Sequence, residues 1–100
     1  MNSIFKILAN KEDTWFTKNI GEPNGNPVNI RVMNNYIAPF HTHENSDEMF
    51  IVISGTLFID MTKHNIELNE GESYTVSAGV EHRARVEGRA ELIVIGGKSV

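Results

Sequence analysis

Three imidazoles and one carboxylate stand at spacings that suit a metal: His41-Thr42-His43, Glu48 after a four-residue gap, and His82 far downstream. Such a nitrogen and oxygen set suits a borderline divalent ion such as Fe, Mn, Ni, Co or Zn. An HxH pair alone says little, because short chains pair histidines by chance. Its value depends on what positions it. In an extended strand residues i and i+2 project to one face, so His41 and His43 point together. Glu48 opens the apolar run Met49-Phe50-Ile51-Val52-Ile53, which ends in Ser54-Gly55. A turn after His43 and a second strand would return the carboxylate to the imidazoles. The i, i+4 histidine spacing of a helical zinc site is absent, so the set asks for a β scaffold.

A second cluster, Gly71-Glu72-Ser73-Tyr74-Thr75-Val76-Ser77-Ala78-Gly79-Val80-Glu81-His82, places His82 after a glycine turn, a short strand and another glycine turn. Together these segments resemble the two motifs of the cupin superfamily. Asn35, His41, His43, Glu48 and Gly55 fall on G-x5-H-x-H-x4-E-x6-G, and Gly71, Ser77, Gly79, His82 and Val86 fall on G-x5-P-x-G-x2-H-x3-N. Asn35 replaces a glycine, but asparagine tolerates the left-handed turn conformation. Ser77 replaces the proline and Val86 the terminal asparagine; neither is a ligand position. The resemblance covers residues 28–96 and implies an all-β jelly-roll barrel or sandwich with a short N-terminal helix. It also implies one divalent transition metal on His41, His43, Glu48 and His82, and a small-molecule ligand or substrate.

With 100 residues the chain makes one domain, read as an N-terminal arm over 1–27 and a barrel over 28–96. A net charge of −4 argues against a nucleic-acid partner, which needs a concentrated basic face. Hydrophobic residues make up 40% and mean hydropathy is −0.26, ordinary for a soluble chain. No apolar run approaches the roughly 20 residues that span a bilayer, and Ile4–Ala9 is too short and interrupted for a signal peptide. Without cysteine there is no disulfide, thiol nucleophile or thiolate zinc site. A cytoplasmic location is expected.

Ile4, Ile7 and Leu8 share a helical face behind Ser3, predicting a short helix within residues 3–10. Trp15-Phe16-Thr17 starts a strand, residues 21–27 form a loop on turn chemistry, and Val28, Ile30 and Val32 alternate with Asn29, Arg31 and Met33. Strands are expected at 48–54, 56–63, 65–68, 73–76, 80–86 and 90–95, with turns between them, including Glu87-Gly88. Many short strands of this kind give a sandwich or barrel.

Strand parity extends the reading. If Glu48 faces inwards, so do Phe50 and Val52, leaving Met49, Ile51 and Ile53 outside. Val80, Ala84 and Val86 accompany His82 inwards, and Arg83 and Arg85 face out. Phe50, Val52, Val80 and Val86 are therefore the expected lining of an apolar pocket. The outer apolar row of 48–54 needs a cover, from the helix and Trp15 or from a second copy, and a homodimer is expected. Tyr36 and Tyr74 read as packing residues, His64 as a solvated hairpin tip, Glu44 and Asp47 as surface-turn residues, and Glu67, Glu70 and Glu72 as a solvated face.

No catalytic acid or base stands out. The resemblance implies a metal-dependent enzyme of oxygenase or isomerase type; the alternative is a metal-containing sensor module that binds a small molecule without turnover. A barrel whose ligands serve only as structural glue is the third reading. A sugar-phosphate substrate would call for pocket lysine or arginine. Only Arg31 is placed to serve, which tilts the reading towards a substrate of lower charge.

Overall fold

A computed structural model describes residues 1–98. Helix α1 (Ile4–Leu8) is followed by seven strands: β1 (Trp15–Gly21), β2 (Val28–Ile37), β3 (Glu48–Ser54), β4 (Leu57–Met61), β5 (Asn65–Leu68), β6 (Ser73–Val76) and β7 (His82–Gly96). Every strand pairing is antiparallel. Strand order runs β1-β2-β7-β3-β6, with β4 and β5 branching from β7. The start of β7 pairs with β4, from His82 to Arg85, and its end pairs with β3, from Glu91 to Gly96. One long strand thus carries both layers of the jelly roll.

The expected break at Glu87-Gly88 is absent. Both halves of β7 pair with β2, across a register shift between Asn34 and Tyr36. Asn35 takes a left-handed φ of 48° there, and its side-chain oxygen accepts the Gly88 N–H at 2.8 Å. The two strands bulge and bend together, so the glycine marks a shared kink and not a hairpin. Residues 80 and 81 lie outside the strand.

Two apolar clusters form. Met33, Phe50, Val52, Leu57, Ile59, Val76, Ala84, Val86, Leu92 and Val94 fill the barrel. Leu8, Ile30 and Val32 form a smaller cluster, against which Ile4, Ile7, Phe16, Ile20, Ile53 and Ile93 pack. The purely apolar face of β2 therefore meets α1, while the face carrying Arg31 and Met33 turns towards the barrel interior. On β3, Glu48, Phe50 and Val52 are buried and Met49, Ile51 and Ile53 half-buried, as strand parity requires. Ile53 packs against the cluster that Leu8 of α1 forms with Ile30 and Val32. Trp15 does not join it: its ring packs 5.3 Å from that of Tyr36.

Candidate metal centre

The backbone brings His41 and His82 face to face. His41 N–H donates to the His82 carbonyl at 2.9 Å and His82 N–H to the His41 carbonyl at 3.0 Å, an antiparallel bridge between the segment that follows β2 and the first residue of β7. Gly79 N–H donates to the His43 carbonyl at 2.9 Å, extending the pairing past the second glycine turn. Glu48 enters from the first residue of β3, between Gly96 and Val76. Asp47 fastens this corner: its carboxylate accepts the Ala78 N–H at 2.8 Å, and its carbonyl accepts the Gly97 N–H at 2.9 Å. Asp47 is exposed, as expected of a turn residue, but it also ties the two motif segments together.

One ligand atom from each of His41, His43, Glu48 and His82 lies within 4.8 Å of the others. All three imidazole Nε2 atoms converge on Glu48 Oε1, at 3.8 Å from His41, 3.5 Å from His43 and 2.7 Å from His82. Each Nδ1 meets a backbone carbonyl: Pro39 at 3.1 Å for His41, Lys98 at 3.2 Å for His43 and Val80 at 2.9 Å for His82. A proton on Nδ1 donates to that carbonyl and leaves Nε2 with its lone pair directed at the cluster, the usual support of a metal-binding histidine. His43 Nε2 is buried with no hydrogen-bond partner. Lone pairs that converge on a carboxylate require a cation, either a proton or a metal. The set can hold a metal.

Electrostatics agree. Burial raises the cost of charge on Glu48, but the His82 hydrogen bond and the charges of His43, His82 and Arg31 outweigh it and hold the carboxyl below its ordinary pKa. Burial likewise opposes charge on His82, yet its contacts with Glu48 and the Val80 carbonyl raise its pKa overall. In cationic His82 both ring nitrogens donate, and a proton bridges the 2.7 Å gap to Glu48. A metal would replace that proton.

A cavity of about 340 Å³ opens beside the cluster, lined by Trp15, Arg31, Tyr36, Ala38, Pro39, His41, His43, Glu48 and Gly97. This lining differs from the sequence expectation. Phe50, Val52 and Val86 lie in the closed core, with the Phe50 ring 6.2 Å from that of His82. Phe50 thus supports the site from beneath. Val80 is 37% exposed and borders a separate depression with Met61, Thr62, Lys63 and His64. Strand parity misplaced it because β7 begins only at His82. Tyr36 is half-buried and shared between core and cavity, whereas Tyr74 packs on the core alone. His64, Glu44, Glu67, Glu70 and Glu72 are exposed.

The sequence reading missed Trp15, Ala38, Pro39, Gly97 and the Lys98 carbonyl. The Gly96-Gly97 pair closing an alternating strand is the one signal that marked this corner. An ideal Cβ at Gly97 would overlap Glu48 Oε2 and stand 2.7 Å from its Cδ.

The Cupin domain family matches residues 30–96. The chain is a member of the cupin family. It is 30% identical over 86 residues to the uncharacterized protein YdbB of Bacillus subtilis, covering 85% of this chain and 75% of that protein. Among solved structures, this cupin is similar to a cupin-2 domain protein from Shewanella frigidimarina, with a TM-score of 0.86 and 27% identity, over 95% of this chain and 92% of the other. A Neisseria meningitidis protein matches with a TM-score of 0.82 and 24% identity, over 96% and 97% of the two chains; that likeness speaks to the fold. No helix among the described residues is long and apolar enough to cross a membrane.

Proposed function

We propose that this cupin holds one divalent transition metal through His41, His43, Glu48 and His82 and acts with it on a small molecule, as an oxygenase-type or isomerase-type enzyme in the cytoplasm. The observation that carries this reading is the convergence of three Nε2 atoms on Glu48 while each Nδ1 is tied to a backbone carbonyl. Four protein donors on an ion that accepts six leave room for a substrate, and His41, His43 and Glu48 line the cavity it would enter. Bound there, an Fe, Mn, Ni, Co or Zn ion supplies Lewis acidity, and the redox-active ones among them also supply electrons to dioxygen chemistry.

The protein's own residues orient and exclude. The carbonyls of Pro39, Lys98 and Val80 fix the imidazole planes, and the core beneath keeps water from the rear of the cluster. Tyr36 Oη is the only hydroxyl of the cavity lining outside the ligand set. That scarcity of acid–base groups favours chemistry borne by the metal, and it equally supports the second reading, a metal-containing binding module without turnover.

Elemental analysis of freshly purified protein, followed by oxygen-uptake screening with iron restored and anaerobic isomerisation assays with each metal, tests the proposal. Close to one metal per chain and uptake or isomerisation with some substrate class are expected. Protein that retains no metal after reloading overturns the reading. Stoichiometric metal with saturable ligand binding and no turnover selects the binding module.

A further inference from the structure

Arg31 stands apart from the other arginines of the chain. Arg83 and Arg85 both pair with Asp60, and Arg89 pairs with Glu91 at 2.7 Å. Arg31 has no such carboxylate among the described residues, and its Nε is buried with no hydrogen-bond partner. It sits in the middle of β2, opposite Thr17 of β1 and Leu92 of β7. Its face of the strand is the one that turns Met33 into the barrel core. Glu48 acts on it only through space, without a direct ion pair; a cation held on an inward face in that way is costly, and a bound anion would offset that cost.

The surroundings prepare the guanidinium for one. Trp15 lies against it, with the guanidinium carbon 4.3 Å from the ring centroid, and Tyr36 braces Trp15. Stacking on a ring face fixes the guanidinium plane and leaves its in-plane N–H donors free, the presentation that suits a planar carboxylate. Arg31 lines the same cavity as His41, His43 and Glu48.

We propose that the cavity takes a small organic carboxylate, its anionic group held by Arg31 and another donor of the same molecule directed to the metal cluster. This deepens the metal-site reading and rests on it. One arginine and no lysine line the cavity. The nearest lysine in sequence, Lys98, sends its amine towards Gly25, 3.4 Å from where a Cβ would stand. A phosphate dianion would meet a single cation beside the Glu48 carboxylate, so a monoanion fits the charge. At about 340 Å³ the space lies at the small end of ligand sites.

The chain's single tryptophan, Trp15, reports on this site. Benzoate, pyruvate and lactate are titrated into metal-loaded protein, each against its amide (benzamide, pyruvamide, lactamide), with Trp15 emission followed and metal content measured. At least one acid is expected to shift the emission saturably and to bind about tenfold or more tighter than its amide, the low end for a hydrogen bond to a charged group. Arg31→Gln should abolish the preference at unchanged metal content, and Arg31→Lys should keep part of it. Equal binding of acid and amide, no response to any acid, or an acid preference that survives in Arg31→Gln overturns the proposal. The acid–amide comparison on the unaltered protein stands even if Arg31→Gln fails to fold. Loss of metal binding with the acid preference intact overturns the metal reading alone.

Discussion

Gly97→Ala tests the corner that holds Glu48. Gly97 has φ of 67°, and a methyl group there would overlap Glu48 Oε2, with Cδ at 2.7 Å and Cγ at 3.0 Å. Glu48 has little room to yield, being 5% exposed and bonded to His82 at 2.7 Å. Two costs follow: about 1–2 kcal/mol for a left-handed residue with a Cβ, and about 1.5–3 kcal/mol if the Glu48–His82 hydrogen bond is lost. Gly71→Ala isolates the first cost, because Gly71 has φ of 82° with nothing within 4 Å of its added Cβ. Each kcal/mol shifts Tm by about 4–8 °C in a domain of this size. Gly97→Ala should therefore melt about 6–24 °C below Gly71→Ala and bind metal less tightly, as read by thermal denaturation and elemental analysis. Equal melting and equal metal content in the two variants would refute the claim that Gly97 makes room for Glu48.

His43→Ala should lose the metal while keeping the fold, because Phe50, Val52, Leu57, Ile59, Val76 and Val94 form a core without it; circular dichroism alongside metal analysis checks this, and unfolding of the variant or of chelated protein would make the metal structural. Asp60, 5% exposed, accepts two hydrogen bonds from Arg85 and one from Arg83. The Arg85 hydrogen bonds above all, with help from Arg83, hold its pKa below the ordinary value against the opposing effect of burial. The stability this gives is present above the unfolded carboxylate pKa of about 4 and is lost as pH falls through the lower folded value. Asp60→Asn should then cost about 1–3 kcal/mol at pH 7 and flatten the acid limb of denaturant-derived stability; an unchanged pH profile would contradict it. We propose that Met49 and Ile51, half-buried and outside the cluster under α1, meet a second copy; light scattering should give twice 11.2 kDa, and a clean monomer would mean that the N-terminal segment alone covers its barrel.

The chain by itself determined what depends on local spacing. The donor types, the i, i+2 projection of His41 and His43, the inward parity of Glu48, Phe50 and Val52, and the strands at 48–54, 65–68 and 73–76 follow from side-chain alternation and turn residues, which act over a few positions. Tertiary structure decided what depends on register between distant segments. Whether Glu87-Gly88 reverses the chain rests on β2 pairing with both halves of β7. Which face of β2 is interior rests on α1 taking Ile30 and Val32, and only that choice turns Arg31 inwards. Val80 fell outside because the strand it was assigned to starts two residues later. The Lys98 carbonyl that orients His43, the stacking of Trp15 on Arg31 and the glycine that admits Glu48 come from parts of the chain up to 55 residues away from their partners. Contacts of that span leave no periodicity in a sequence, because closing the barrel, not the local pattern, brings them together.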